Sequence, residues 1–114
     1  MGADRKGSLH RDAAFRLQET SWQGWVRLVV TGELDVWTAL TFRRRWRTLQ
    51  AANQPVRLDL SQLDFIDSAG ARAVLDAVDA SREGNWRVEV EPELSEPAKR
   101  YFALMRAAGL RVDL

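Results

Sequence analysis

The residue best placed to do chemistry in this sequence is Ser68, which lies between two segments of different periodicity. Apolar and charged residues alternate over residues 56–60, which predicts a half-buried strand, and a short apolar bridge is expected to lead from this strand to the turn that holds Ser68. From residue 69 to residue 82 the apolar residues recur at helical spacing, which predicts an amphipathic helix. A helix start has free backbone N–H groups and roughly half a positive charge, so it favours an oxygen atom or a phosphate.

The local chemistry leaves two roles open for the Ser68 hydroxyl. Ser68 or Asp67 is expected to cap the helix, a contribution of about 1 kcal/mol. Alternatively, Ser68 accepts a phosphoryl group, which adds a charge of roughly −1.5 to −2 beside the Asp67 carboxylate. Arg72 follows one turn later, where it can pair with a phosphate, contact an acidic partner, or balance Asp76 at the i,i+4 spacing. The pairing with Asp76 is the default.

Upstream of Ser68, the pattern predicts a hairpin followed by a helix. Alternation over residues 15–18 and 25–31 indicates two strands, joined by a turn at residues 22–24. Asp35 is a suitable N-cap for a helix over residues 36–50. The expected buried stripe of this helix contains Ala39, Phe42, Trp46 and Leu49.

Downstream, the pattern predicts a further strand and a last helix. Gly84 and Asn85 tolerate the left-handed backbone of a helix stop, and residues 86–90 alternate as a fourth strand. Ser95 is expected to cap a helix that Gly109 ends, and residues 110–114 are expected to add a short edge strand. These elements predict an α/β domain with a mixed four- to five-stranded sheet and helices mainly on one face.

Two strand-to-helix junctions are expected to act together. If both helices start at the same end of the sheet, Asp35 and Ser68 lie on neighbouring turns, where open sheets usually place their sites. Trp37 stands beside Asp35 and is a candidate exposed contact, because aromatic residues are common binding anchors. Asp35 is equally well explained as a cap.

Four short segments occur in an order and spacing that resembles a STAS domain, the fold of bacterial anti-sigma factor antagonists. They are Gly32-Glu33-Leu34-Asp35, Leu58-Asp59-Leu60, Phe65-Ile66-Asp67-Ser68-Ala69-Gly70 and Ala107-Ala108-Gly109-Leu110. The resemblance covers residues 14–114, and we expect the domain to occupy residues 13–114 after a loose lead over residues 1–12.

The resemblance implies a binding protein rather than an enzyme. Similar antagonists bind a serine kinase that also sequesters a sigma factor, are released when the serine of the Asp-Ser turn is phosphorylated, and are restored by a phosphatase. In this chain that serine is Ser68. The implied partner-binding residues are Asp35, Trp37, Asp67, Ser68, Ala69, Gly70 and Arg72, with Trp37 added for its aromatic ring.

The chain departs from the antagonist pattern at Ala69, Ala71 and Arg72, where many antagonists have a second hydroxyl residue, a leucine and a glycine. STAS domains also serve as accessory subunits of lipid-transport ABC systems and in stress-sensing assemblies. A constitutive binding module of that kind is therefore the alternative, since a fold does not by itself select a function.

Composition argues against several other classes of function. With 17 Lys plus Arg and 16 Asp plus Glu, the net charge of +1 gives no general attraction to nucleic acid. Arg43, Arg44, Arg45 and Arg47 stand among Phe42 and Trp46, but those two aromatic residues keep step with the buried stripe. The arginines are therefore expected to form a solvated basic face, with no nucleic-acid partner.

The sequence offers no apparatus for catalysis or for a cofactor. Its single histidine, His10, lies in the lead, and Ser68 is not in a Gly-x-Ser-x-Gly elbow. We expect no metal, no cofactor and no enzymatic activity. There is no cysteine and no apolar run of roughly 20 residues, so we expect a cytoplasmic protein without membrane insertion. An exposed last strand predicts a monomer or a weak dimer.

Overall fold

The computed structural model describes residues 15–114, and the lead predicted for residues 1–12 lies outside the described residues. The strands are β1 (Arg16–Trp22), β2 (Trp25–Leu34), β3 (Val56–Asp59), β4 (Leu63–Ile66) and β5 (Val88–Val90). The helices are α1 (Thr38–Ala51), α2 (Ser68–Glu83) and α3 (Glu96–Ala107). None of the helices in this part of the chain is long and apolar enough to cross a membrane.

The strands form one mixed five-stranded sheet, which confirms the predicted fold class. β1 and β2 pair antiparallel as the predicted hairpin, and the turn between them holds Gln23 and Gly24 at positive φ. On its other edge β2 pairs parallel first with β3 and then, nearer its end, with β4. β5 pairs parallel with β3 and completes the order β1-β2-β3-β5.

The core lies between the inward face of the sheet and the helices. Alternate residues of β2 are buried, from Val26 to Leu34, because only one face of the strand is covered. The predicted stripe of α1 is buried throughout. Within it Trp46 stacks on Phe42 at a centroid distance of 5.6 Å and meets Trp86 edge-on at 5.0 Å. Aromatic packing therefore joins α1 to the segment that leads into β5.

Three predictions about the elements were wrong. Residues 63–66 were expected to be an apolar bridge, but they form β4 because β2 extends to Leu34 and offers them an edge. Residues 110–114 form no strand; Arg106 and Arg82 instead donate to the carbonyl oxygens of Val112 and Asp113. Gly84 ends α2 with an extended backbone at φ −120°, not a left-handed one.

A ladder of ion pairs crosses the outward face of the sheet. Arg27 contacts Asp59 at 2.6 Å and Glu91 at 3.4 Å, and Arg57 contacts Glu91 at 3.1 Å and Glu89 at 2.6 Å. Asp59, placed on the exposed face by the alternation, is only 3% exposed because Arg27 and Ser61 cover it. Its carboxylate is therefore satisfied by hydrogen bonds rather than by water.

The environment of Asp59 lowers the pKa of its carboxyl group. Burial acts in the opposite direction and would raise the pKa, but the hydrogen bonds from Ser61 and Arg27 and the charge of Arg27 together outweigh it. The folded-state pKa thus lies below the unfolded value of about 3.9. The stabilisation that the Asp59 carboxylate contributes is fully present above its unfolded-state pKa, and it is lost as the pH falls through its folded-state pKa.

Asp59→Asn is therefore expected to lower the free energy of unfolding by about 2 kcal/mol at neutral pH. The variant should also lose part of the acid-induced fall in stability, since the titrating group is gone. Urea denaturation of both proteins between about pH 3 and pH 7 measures this difference. A constant stability gap at every pH would contradict the assigned role of the Asp59 carboxylate.

Candidate functional site

Two strand-to-helix junctions meet at one end of the sheet, as predicted. Leu34 at the end of β2 is in register with Ile66 at the end of β4, and the two strands run parallel. The backbone N–H of Asp67 donates to the carbonyl oxygen of Leu34 at 3.3 Å. The turns that lead into α1 and α2 therefore lie side by side.

At the first junction, Asp35 organises the backbone that enters α1. Its Oδ1 accepts hydrogen bonds from the backbone N–H groups of Trp37 at 2.9 Å and Thr38 at 3.0 Å. Its carbonyl oxygen accepts from Ala39 at 2.8 Å, although regular helix begins at Thr38 rather than at the predicted residue 36. Asp35 is 3% exposed. It thus supports the turn that presents Trp37, and direct contact between Asp35 and a partner stays a prediction.

At the second junction, Asp67 and not Ser68 caps the helix. The Asp67 Oδ1 accepts from the backbone N–H of Gly70 at 2.9 Å, and the Asp67 backbone is extended, as at an N-cap. Ser68 is the first residue of α2 and is exposed. Within residues 15–114 its hydroxyl has no hydrogen-bond partner. The structure therefore separates the capping role from the hydroxyl.

Substitutions at these two positions are expected to differ in their effect on stability. Asp67→Ala should lower the free energy of unfolding by about 1 kcal/mol, because the N–H of Gly70 loses its acceptor. Ser68→Ala should change it by less than about 0.5 kcal/mol, because no hydrogen bond is lost. Urea denaturation distinguishes the two variants. A larger loss for Ser68→Ala than for Asp67→Ala would reverse the assignment of the cap.

Gly70 holds the start of α2 against the end of β2. A Cβ atom added at Gly70 would lie 2.1 Å from the carbonyl oxygen and 2.8 Å from the carbonyl carbon of Leu34. Gly70 is buried, whereas Ala69 beside it is half-buried. Gly70, one of the predicted contact residues, therefore positions the turn. A contact between Ala69 and a partner stays a prediction.

Arg72 adopts its default role on the surface of α2. Its guanidinium lies 3.6 Å from the Asp76 carboxylate at the i,i+4 spacing, and Arg43 of α1 reaches the same carboxylate at 3.1 Å. Arg72 is half exposed. The Arg72 guanidinium is therefore paired with Asp76. A role of Arg72 in partner binding or phosphate pairing stays a prediction.

Helix α1 carries four arginines, and its aromatic residues are buried. Phe42 and Trp46 belong to the core, as predicted, so they offer no exposed stacking platform. Arg45 pairs with Glu19 of β1, with a second contact at 2.6 Å. These contacts fit a structural and solvated role for the basic residues. Within residues 15–114, no three His, Asp or Glu side chains form a group that could hold a metal ion.

An apolar surface stands exposed near the two junctions. Trp37 is 71% exposed, as predicted for a candidate contact, and it is accompanied by Val36, Leu40 and Phe65, which are 56%, 56% and 45% exposed. We call these four residues the apolar surface. The last three were not predicted from the sequence, although Leu40 is out of step with the buried stripe of α1 and Phe65 alternates with buried Ile66. Contiguous exposed apolar patches mark sites of protein interaction, so these four residues are candidates for a partner-binding surface, and contact with a partner stays a prediction.

The mixed sheet, the helices that cover it and the two adjacent strand-to-helix junctions define an α/β domain of the STAS type. The family model described as "Mlab, STAS domain" matches residues 16–113, and the chain belongs to this STAS family. The match spans nearly all of the described residues. No curated protein is similar enough to this chain to be matched.

Solved structures share the fold at low sequence identity. An anti-sigma factor antagonist from Mycobacterium paratuberculosis is 21% identical, with a TM-score of 0.58 over 89% of this chain and 88% of that one. The Bacillus cell fate determinant SpoIIAA in its phosphorylated form is 22% identical, with a TM-score of 0.59 over 85% of each chain. Mglu is 26% identical, with a TM-score of 0.59 over 69% of this chain, but the match spans only 20% of Mglu.

Proposed function

We propose that this STAS domain is an anti-sigma factor antagonist of a bacterial partner-switching pathway. Unmodified, it binds an anti-sigma serine kinase and frees the sigma factor. Phosphorylation of Ser68 by that kinase releases it, and a phosphatase restores it. The pathway lies in the cytoplasm. The single observation that supports this proposal best is an exposed serine hydroxyl at a helix start, with no hydrogen-bond partner among residues 15–114, beside an exposed apolar surface.

The local geometry suits phosphoryl transfer to Ser68. Asp67 already caps α2, so the hydroxyl can be modified without loss of the cap. The neighbouring N–H groups at the helix start favour a negative charge. Arg72 is within a turn of Ser68, but its guanidinium is paired with the Asp76 carboxylate. A phosphate would therefore alter the docking surface more than the stability of the fold.

Release follows from electrostatics and desolvation at the docking surface. A dianionic phosphate next to the Asp67 carboxylate and the apolar surface would have to lose its water when a partner docks. A partner surface fitted to a neutral hydroxyl gives no compensating charge. The switch therefore needs no conformational change in the STAS domain itself.

The test is to incubate the protein and its single-substitution variants with the cognate kinase and ATP and to measure phosphate incorporation. Phosphate incorporation should disappear in Ser68→Ala and persist in Ser21→Ala, a matched control because Ser21 is also exposed but lies on β1. Ser68→Asp should weaken kinase binding about tenfold or more, measured by calorimetry. Incorporation that persists in Ser68→Ala would refute the proposed acceptor.

A second candidate function is a constitutive accessory subunit of a transport or stress-sensing complex. The apolar surface favours it, because permanent interfaces are more apolar than transient ones. The family description, which names Mlab, is compatible with either function. In this case Ser68→Asp would leave partner binding intact, and co-purification would recover the partner whether or not kinase and ATP were present.

A further inference from the structure

One edge of the sheet is long and open. Strand β1 has seven residues and pairs with β2 on one side, and no other strand within residues 15–114 covers its outer edge. All of its residues except Leu17 are exposed. Strand β5, at the opposite edge, has only three residues. A strand as short as β5 offers little backbone to another chain, whereas a seven-residue edge is a template for a further strand.

The hairpin turn determines which backbone groups of β1 point outward. Residues 23–24 have φ of 50° and 84°, as a two-residue type I′ turn requires, so the flanking residues Trp22 and Trp25 exchange backbone hydrogen bonds. Every second residue back from Trp22 then bonds to β2. The carbonyl oxygen of Arg16 agrees with this alternation, because the Thr31 hydroxyl of β2 lies 3.5 Å from it. The N–H and C=O groups of the intervening residues therefore point away from β2, and these residues are Leu17, Glu19 and Ser21.

The outer edge of β1 lacks the features that usually keep edge strands apart. Its sequence contains no proline, glycine or lysine, and its register with β2 runs without a bulge. The charged residue at its centre is Glu19, whose side chain points to the helix side of the sheet. There Arg45 of α1 pairs with the Glu19 carboxylate, with a contact at 2.6 Å. Because this charge is balanced within the chain, it gives little repulsion toward a strand that approaches the edge.

We propose that β1 is the interface of a homodimer and pairs antiparallel with β1 of a second copy. A two-fold interface requires a surface that fits itself, and this edge does so in the register centred on Glu19. All seven residues then overlap, and the outward-pointing groups of Leu17, Glu19 and Ser21 form about six backbone hydrogen bonds. The result is one continuous sheet with the helices of both copies on the same face.

The side chains in this register are complementary on both faces of the sheet. Side chains alternate along a strand, so Arg16 and Trp22 share the outward face and Glu19 faces the helices. Trp22, which is 71% exposed in the single chain, lies opposite Arg16 of the second copy, and a guanidinium beside an indole is a favourable pair. On the helix side, the two Glu19 carboxylates meet at the axis, each with its own Arg45. The interface uses neither Ser68 nor the apolar surface, so it is separate from the function proposed above.

The first test measures the mass of the full chain by sedimentation equilibrium. One chain has a mass of 13.0 kDa, and this mass should double reversibly as the concentration rises through about 10 to 100 µM. In the dimer, the backbone N–H groups of Glu19 and Ser21 should exchange with deuterium more slowly than in the monomer. The mass of a single chain at every concentration up to about 1 mM, or a dimer in which these two groups exchange as before, would overturn the proposal.

Substitutions at Ser21 test the backbone pairing. Ser21→Pro removes an N–H that β2 does not use, so the hairpin should persist while dimerisation weakens about tenfold or more. Ser21→Ala keeps that N–H and should dimerise as the unchanged protein does. A dimer of undiminished affinity in Ser21→Pro, or an equal loss in Ser21→Ala, would refute pairing through the edge.

Single cysteines test the register without removing a backbone donor, since the chain contains no cysteine of its own. Glu19→Cys places two thiols at the axis, where a Cα separation of about 5.5 Å suits a disulfide, so oxidation should link the two copies. Trp22→Cys places its thiols about 20 Å apart and should give no linked dimer. Equal cross-linking of the two variants, or none in Glu19→Cys, would contradict the register.

Discussion

Replacing Gly70 with alanine is expected to lower the free energy of unfolding by about 3 kcal/mol, the largest effect on stability predicted for this protein. The added Cβ would lie 2.1 Å from the carbonyl oxygen of Leu34, a backbone atom that also accepts from the N–H of Asp67. Neither partner can move without separating α2 from β2. Urea denaturation gives the free energy directly.

Gly84→Ala is the matched control for this prediction. Gly84 ends the same helix, has no atom within 4 Å of an added Cβ, and has an extended backbone that alanine adopts freely. Its substitution should change the free energy of unfolding by less than about 0.5 kcal/mol. Equal losses for the two variants would show that the contact with Leu34 does not govern the effect.

Replacing Trp37 with alanine is expected to weaken partner binding about 30-fold or more. Trp37 is the most exposed member of the apolar surface, and Asp35 holds its backbone in place. A large aromatic ring fixed at such a position is the usual anchor of a protein interface. Calorimetric titration with the kinase, or with the constitutive partner if that is what co-purifies, measures the change.

Trp22 offers an unusually close control for the Trp37 prediction. Both tryptophans are 71% exposed, but Trp22 lies on β1, at the hairpin turn. Trp22→Ala should leave the affinity for the partner unchanged, and neither variant should lose more than about 0.5 kcal/mol of stability. Similar losses of binding in both variants would mean that the apolar surface is not the docking site.

Local patterns in the sequence predicted most of the fold because its elements obey local rules. The buried stripe of α1, the hairpin turn at residues 22–24 and the cap at Ser95 depend on residues close together in the chain. The missed strand β4 has no such signal, because four residues become a strand only where β2 supplies a parallel edge. The position of Ser68 at the start of a helix was also predicted from local sequence, because the periodicity changes there.

The sequence alone determined the site's chemistry: a serine at a helix start, an aspartate before it, and a glycine two residues later. Tertiary structure decided which contacts these residues make. Only the folded chain places Gly70 against Leu34, assigns the cap to Asp67, and buries Asp59 beneath Arg27. The contacts of Gly70 with Leu34 and of Asp59 with Arg27 join residues distant in the chain, where neither periodicity nor capping preference carries information. The Asp67 cap is local, but the sequence offers Asp67 and Ser68 as alternative caps, and only the folded backbone selects between them.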